Sequence, residues 1–211
     1  MLPILALLSS SPAAIAADAA HSADVRVTGL IRPGACAPQL SNAGIIDYGL
    51  IPQSRLKRGD YTWLESRSVD LVIQCNGGPA KLGLRAHDNR RASVLQEVLA
   101  EEANFGLGIV AGAKVGGYAM VFNQADARVD GLEPRQLYSF DQQSWLPTGS
   151  GGTIGKNRTL AWARSGSYLP DMVRKVAGKI TVTAFINKPE NLPLTQEIPL
   201  DGSATLEVVY L

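Results

Sequence analysis

The fold class of this chain follows from the stretch Val69-Asp70-Leu71-Val72-Ile73-Gln74-Cys75, in which apolar and polar residues alternate. Every second residue from Val69 to Cys75 is apolar and falls on one face, whereas Asp70 and Gln74 fall on the other. A period of two residues is typical of a half-buried β-strand. The stretch therefore predicts a strand that directs Cys75 toward a core.

Similar runs recur along the chain, between clusters of glycine, proline and asparagine that predict turns. Further strands are predicted at residues 25–28, 80–86, 114–122, 136–140, 159–163, 179–186 and 202–211. Residues 90–103 instead place apolar side chains at helical spacing, which predicts one short helix capped by Asp88 or Asn89. Many short strands with a single helix predict an all-β protein, an immunoglobulin-like antiparallel sandwich.

The composition excludes several classes of protein. The 211 residues include 20 Lys and Arg against 19 Asp and Glu, so the formal net charge is +1. A chain this close to neutrality lacks the basic field that binds nucleic acid. The two cysteines and two histidines fit neither a Cys₄ nor a Cys₂His₂ zinc site, and we expect no metal.

The first 16 residues are interpreted as a secretory signal peptide. They carry no charged side chain, contain an apolar run from Leu2 to Leu8, and end in Ala14-Ile15-Ala16, an A-x-A cleavage pattern. The alternative is a buried N-terminal strand or helix. Cleavage would leave residues 17–211 as a single exported domain in the periplasm, then at the cell surface or outside the cell. No later segment is long and apolar enough to be embedded in a membrane.

Export favours a disulfide between Cys36 and Cys75, because two lone cysteines in an oxidising compartment usually pair. The alternative is a catalytic cysteine with His87 as its base, since the other histidine, His21, lies in the predicted N-terminal tail.

Motifs for catalysis are incomplete in this sequence. Residues 149–157 resemble a phosphate-binding loop, but Ser150 stands where its first glycine is required. Residues 105–108 begin like a dinucleotide fingerprint, but Ala111 replaces its third glycine. We therefore expect neither catalysis nor a cofactor, and the last-ranked alternative is a hydrolase built on carboxylates in loops. These carboxylates belong to Asp126, Asp130, Glu133 and Asp141.

Aromatic side chains suggest another function, the binding of a glycan by a self-complete sandwich. A sugar-binding platform could use Trp63, Trp145 and Trp162, although Trp162 lies in an apolar run typical of a core. Trp145 lies in a polar loop and is the best exposed candidate, with Tyr168 as a second.

Both ends of the exported part resemble those of chaperone–usher fimbrial subunits of the type 1 pilin kind. Residues 23–36 are similar to their first strand, which is followed by a glycine and then the first cysteine, here Cys36. Cys75 matches the position of their second cysteine. Residues 201–211 resemble their last strand with its penultimate tyrosine, here Tyr210.

The whole exported part is most similar to a poorly characterised branch of exported bacterial fimbrial-type proteins. The motifs shared with that branch are residues 46–49, 105–108 and 201–207.

The resemblance implies an immunoglobulin-like sandwich that lacks its final strand. In the family, a periplasmic chaperone lends a strand to the open groove, and assembly proceeds at an outer-membrane usher. A neighbouring subunit then replaces the chaperone strand with its own N-terminal extension. By resemblance, Leu206, Val208 and Tyr210 would line the groove, and the chaperone would hold the carboxylate of Leu211. The alternative is that these residues fill a complete sandwich.

The N-terminal donor segment departs from the family pattern. Residues 17–24 are small or polar, and each missing large aliphatic side chain forgoes roughly 1.5–3 kcal/mol of burial. Val25 and Val27 are therefore the candidate donor residues; otherwise the chain is a minor, tip or terminating subunit or a soluble relative. The expected role is structural or adhesive, with a host glycan or surface receptor as a further candidate partner.

Overall fold

The computed structural model of the chain describes residues 25–29, 35–96, 98–149 and 151–211. The chain divides into two compact units, residues 1–31 and residues 32–211. The predicted signal peptide, with its cleavage site after Ala16, lies outside the described residues. The second unit contains the strands and helices that the structure describes.

β-Strands are the main regular elements of the described part of the second unit, with short 3₁₀ helices between them. They are β1 (Cys36–Leu40), β2 (Thr62–Trp63), β3 (Arg67–Cys75), β4 (Ala80–Asp88), β5 (Phe105–Gly106), β6 (Ile109–Val110), β7 (Ala113–Lys114), β8 (Gly116–Asn123), β9 (Arg128–Val129), β10 (Arg135–Ser139), β11 (Leu146–Pro147), β12 (Gly151–Ile154), β13 (Thr159–Ala163), β14 (Met172–Val173), β15 (Lys175–Ile186) and β16 (Ala204–Tyr210). Short 3₁₀ helices span Ser41–Gly44, Gln53–Arg55, Arg91–Ser93, Glu101–Ala103 and Pro189–Asn191.

The strands form two antiparallel sheets and a small separate ribbon. In the larger, eight-stranded sheet, β1, β3, β15, β8 and β12 lie in that order, and β2, β5 and β9 pair at its margins. In the six-stranded sheet, β11, β10, β13, β4 and β14 lie in order, and β16 pairs with β4. β6 and β7 form the two-stranded ribbon.

The core lies between the two sheets, where the inward-facing side chains of their strands meet. Leu71 and Ile73 from β3 are fully buried, and Trp162 from β13 is 1% exposed. The Trp162 ring meets the edge of the Phe122 ring from β8, with centroids 5.5 Å apart. These contacts join the two sheets, and they confirm the prediction of an all-β antiparallel sandwich.

The prediction of one short α-helix over residues 90–103 is wrong. The segment contains two three-residue 3₁₀ helices, Arg91–Ser93 and Glu101–Ala103, instead of a continuous α-helix. Polar side chains satisfy its backbone groups individually: Asp88 accepts the Arg90 N–H at 2.8 Å, and the Asn104 amide donates to Leu95 O at 2.6 Å. Side chains that bond to nearby backbone groups compete with helix formation.

The strand predicted at residues 25–28 is also wrong, because residues 25–29 form no strand. Val25 and Val27 are 90% and 92% exposed, so neither side chain has the buried apolar face that stabilises a strand. The first strand that the structure describes begins at Cys36.

Cys36 and Cys75 are bonded to each other, which confirms the predicted disulfide and rules out the pairing of either thiol with His87. The bond joins β1 to β3, and the two residues lie opposite each other in the ladder. A disulfide is consistent with an exported protein. Among the described residues, we find no helix with the length and hydrophobicity to cross a membrane.

Replacing both cysteines with serine should destabilise the protein. The bond closes a loop of 39 residues, and losing it is expected to lower the free energy of unfolding by roughly 2–4 kcal/mol. Urea unfolding followed by tryptophan fluorescence measures the change. Dithiothreitol should lower the midpoint of the native protein to a similar extent and leave that of the double variant unchanged. Equal midpoints for the oxidised native protein and the variant would contradict this prediction.

Candidate functional site

The last strand, β16, lies at an edge of the smaller sheet. It pairs with β4 in the register that places Ala204 opposite Asp88 and Tyr210 opposite Leu82. No other described strand pairs with β16. The strand therefore meets the rest of its sheet along one side.

The ladder with β4 determines which backbone groups of β16 face outward. Ser203 O accepts the Asn89 N–H at 3.0 Å, and the Leu211 N–H donates to Lys81 O at 3.1 Å. Bonded and non-bonded residue pairs alternate in an antiparallel ladder, so the odd-numbered residues of β16 bond to β4. The N–H and C=O groups that point away from β4 belong to the even-numbered residues Ala204, Leu206 and Val208.

The outward-facing residues Ala204, Leu206 and Val208 also carry apolar side chains. Ala204, Leu206 and Val208 are partly buried and pack against the core cluster. Thr205 and Glu207, between them, are exposed on the other face. One set of residues thus combines outward-facing backbone groups with inward-facing apolar side chains.

β1 is the matching edge of the larger sheet. The Asn76 N–H donates to Ala35 O at 3.2 Å, so by the same alternation the Cys36 N–H points away from β3. That N–H donates to the hydroxyl oxygen of Tyr210 at 2.8 Å. The edges of the two sheets are therefore joined at one end, at Cys36 and Tyr210.

Away from this junction an apolar groove opens between the sheets, which we call the edge groove. Its inner part is a cavity of about 270 Å³ bordered by Leu40 on one side and by Ala204 and Leu206 on the other. The larger sheet forms its floor with Val69, Tyr118, Met120, Ile180, Val182 and Ala184. Burial raises the pKa of the Tyr118 hydroxyl, and Asp88 acts in the same direction, so this phenol stays protonated at neutral pH.

The outer part of the edge groove is a wider cavity of about 740 Å³. It lies between two stretches that form no strand, residues 46–51 and residues 192–200, above Val115 and Ile186. Ile46, Tyr48 and Leu200 line both parts, so the two cavities adjoin each other.

Tyr48 fixes residues 46–51 beside the groove. Its hydroxyl donates to Val182 O at 3.3 Å, and the Arg67 guanidinium lies 5.2 Å from its ring centroid. Arg67 also donates a hydrogen bond to Asp47 O. Burial raises the pKa of Tyr48, so its hydroxyl remains a donor at neutral pH. The position of this stretch thus depends on side chains rather than on strand pairing.

Arg90 and Asp201 fix the turn that leads into β16. Arg90 Nε and Asp201 Oδ2 are 2.8 Å apart, and Arg90 Nη2 and Asp201 Oδ1 are also 2.8 Å apart. The Asp201 N–H donates to Leu107 O at 3.0 Å. Hydrogen bonding to Arg90 lowers the pKa of Asp201, which keeps this carboxylate charged well into the acid range.

The structure brings together some of the residues that the sequence predicts to line the groove and pair with a chaperone strand. Leu206 and Val208 lie on the edge beside the groove, with Tyr210 at its closed end. Tyr210 is 52% exposed, and Leu211 bonds through its N–H to Lys81. Two groove walls that the sequence reasoning missed are residues 46–51 and 192–200. The alternation of Ile46 and Tyr48 was the available signal for the first.

The two aromatic residues predicted to contact a glycan do not form one platform. Trp145 is partly buried and lies next to β11, opposite the Ser139 end of β10. Tyr168 is 56% exposed and stacks against Arg135 at the other end of β10, with 4.4 Å between guanidinium and ring. Four residues of strand, roughly 13 Å, separate these ends. Trp162 is buried in the core, as predicted.

Two of the loop carboxylates, those of Asp130 and Asp141, accept hydrogen bonds from backbone N–H groups. Asp141 accepts the N–H groups of Gln143 and Ser144 at 2.9 and 2.8 Å, and these bonds lower its pKa. Asp130 accepts the Lys175 N–H at 2.8 Å. Within the described residues, no group of three or more metal-ligating side chains could hold a metal ion.

Fold and groove together define an antiparallel sandwich with an apolar groove along one edge. A family model described as "Protein of unknown function (DUF1120)" matches residues 25–120, which include the disulfide and the groove wall at residues 46–51. Two relatives in Escherichia coli (strain K12) match along nearly their whole length. Protein GltF is 25% identical over 239 residues, covering 95% of this chain and 94% of that protein. Uncharacterized protein YhcF is 25% identical over 238 residues, covering 98% of each.

Replacing Asp201 with asparagine should destabilise the protein in a pH-dependent way. Because Arg90 lowers the pKa of Asp201 in the folded state, the pair stabilises the protein above the unfolded pKa of about 3.9. This stabilisation is lost as the pH falls through the folded pKa. Urea midpoints should therefore differ between variant and native protein at pH 7 and converge in strong acid.

A matched control is Glu133→Gln, since Glu133 is an exposed residue 3.6 Å from Arg128. This variant should retain the native midpoint at pH 7. A difference for Asp201→Asn that persists unchanged in strong acid would contradict the role of the charge.

Proposed function

We propose that this chain is an exported fimbrial-type subunit whose sandwich is completed by a strand from a second protein. The observation that carries the proposal is the edge of β16. Ala204, Leu206 and Val208 direct their backbone groups away from β4, beside an apolar groove that runs between the sheets. An edge of this kind pairs readily with an added strand, which is a recurrent mode of peptide recognition.

In this proposal an incoming strand makes two kinds of contact. Its backbone pairs with the outward groups of β16, and its alternate side chains enter the groove above Met120 and Val182. Each large aliphatic side chain that becomes buried there contributes roughly 1.5–3 kcal/mol. The main-chain bonds supply affinity for any extended segment, and the side chains select the register.

The first partner is a periplasmic chaperone, followed at an outer-membrane usher by a neighbouring subunit. Support for the second step comes from Val25 and Val27, which are exposed in a segment without strand structure and are therefore accessible for donation. The chain would act in assembly or adhesion rather than in catalysis. Chaperone–usher fimbrial subunits, which the two termini of this chain resemble, also pair with a chaperone first and with a neighbouring subunit second.

Expression in the bacterial periplasm with and without a pilus chaperone tests the proposal. Soluble protein should accumulate several-fold more with the chaperone and copurify with it. Leu206→Glu should abolish copurification, because a carboxylate in the groove would be buried without a partner. Thr205→Glu is the matched control, because Thr205 faces away from the groove and bonds to β4.

Two results would contradict the proposal. One is an equal yield of soluble monomer with and without the chaperone. The other is copurification of Leu206→Glu at the level of Thr205→Glu, in variants whose circular dichroism shows that both are folded.

A further inference from the structure

The outer face of the larger sheet carries an aromatic platform on the side opposite the edge groove. Trp63 lies opposite Phe185 in the ladder of β2 and β15, and their ring centroids are 5.1 Å apart. Phe185 is fully buried, whereas Trp63 is 45% exposed. Tyr61 packs edge-on against Phe185 at 5.7 Å, and Lys188 lies 5.3 Å above the Tyr61 ring. The indole of Trp63 is therefore held in place while much of it faces solvent.

Rows of hydroxyl groups continue from this platform along the same face. Ser66 and Thr183 are paired at 2.7 Å between hydroxyl oxygens, and Ser68 and Thr181 are paired at 2.9 Å. Thr183 and Thr181 follow Phe185 at every second position of β15, so all three share one face. The Asn123 amide also donates to the Thr181 hydroxyl oxygen at 3.0 Å.

Each hydroxyl pair keeps hydrogen-bonding capacity for a ligand. When one hydroxyl donates to the other, the accepting hydroxyl retains its own hydrogen, and the donating oxygen retains at least one lone pair even where Thr181 also accepts from Asn123. Successive rows are about 6.6 Å apart along the strand. The face therefore offers an apolar ring at one end and donors and acceptors at regular intervals beyond it.

We propose that this face binds a polysaccharide, with the apolar face of one pyranose on Trp63 and neighbouring sugar hydroxyls on the Ser66–Thr183 and Ser68–Thr181 rows. An amphipathic aromatic ring beside fixed polar groups suits a ligand that is apolar on one surface and rich in hydroxyls around its rim. Of the three tryptophans considered from the sequence, the site uses Trp63 alone, and it lies apart from the predicted glycan contacts at Trp145 and Tyr168. It is also independent of strand addition, because it uses residues that face away from the groove.

Affinity electrophoresis of the full chain in native gels tests this site. The gels contain hydroxyethylcellulose, dextran, galactomannan or polygalacturonate, and a gel without polysaccharide gives the reference mobility. We expect retardation by at least one of these polymers. Trp63→Ala should weaken that retardation about tenfold or more, as truncation of a central aromatic anchor commonly does. Thr183→Val, which removes a hydroxyl at nearly constant volume, should weaken it by a smaller factor.

The matched control is Trp145→Ala, which removes the same type of side chain from a different part of the fold and should retain full retardation. Trp63→Phe keeps an aromatic ring on Phe185 and should retain part of the retardation. Comparing it with Trp63→Ala distinguishes loss of folding from loss of the site. Absence of retardation by all four polymers would overturn the proposal. Retardation that survives Trp63→Ala, or that is lost equally in Trp145→Ala, would also overturn it.

Discussion

The structure depends on how the backbone hydrogen-bonding groups of β16 are satisfied. A strand presents two rows of donors and acceptors, and β4 pairs with one of them, through the odd-numbered residues. The other row belongs to residues whose side chains already face the interior. Adding a strand would satisfy these groups and cover the apolar groove in one step. Because the same residues carry both features, the local geometry of β16 accounts for the proposed need for a second protein.

The groove has different supports at its two ends. At the closed end, the disulfide holds β1 on β3, and the Cys36 N–H reaches across to Tyr210. At the open end, residues 46–51 are held by the Tyr48 hydroxyl on Val182 rather than by a strand ladder. Strand addition would thus proceed along an edge that is fixed at one end and bordered by side-chain contacts at the other.

Local alternation was sufficient to predict much of the fold, because strands with one buried face have a strict period of two. Residues 69–75 lie within β3, and Leu206 and Val208 pack against the core, as their alternation predicts. Residues 159–163 match β13 as an apolar run rather than an alternating one, since all five residues are buried. Contacts between distant residues were not predictable in this way. The Arg90–Asp201 pair spans 111 positions, and the packing of Trp63 on Phe185 depends on the register of two strands far apart in sequence.

Hydrogen exchange of the isolated, oxidised protein, followed residue by residue by NMR, tests the central claim most directly. The amides of Thr205, Glu207 and Val209 should exchange slowly, because they donate to β4, whereas those of Leu206 and Val208 should exchange quickly. Binding of a chaperone should slow the second set and leave the first set little changed. Equally slow exchange of both sets in the isolated protein would show that the outer edge of β16 is already paired, and would contradict the account.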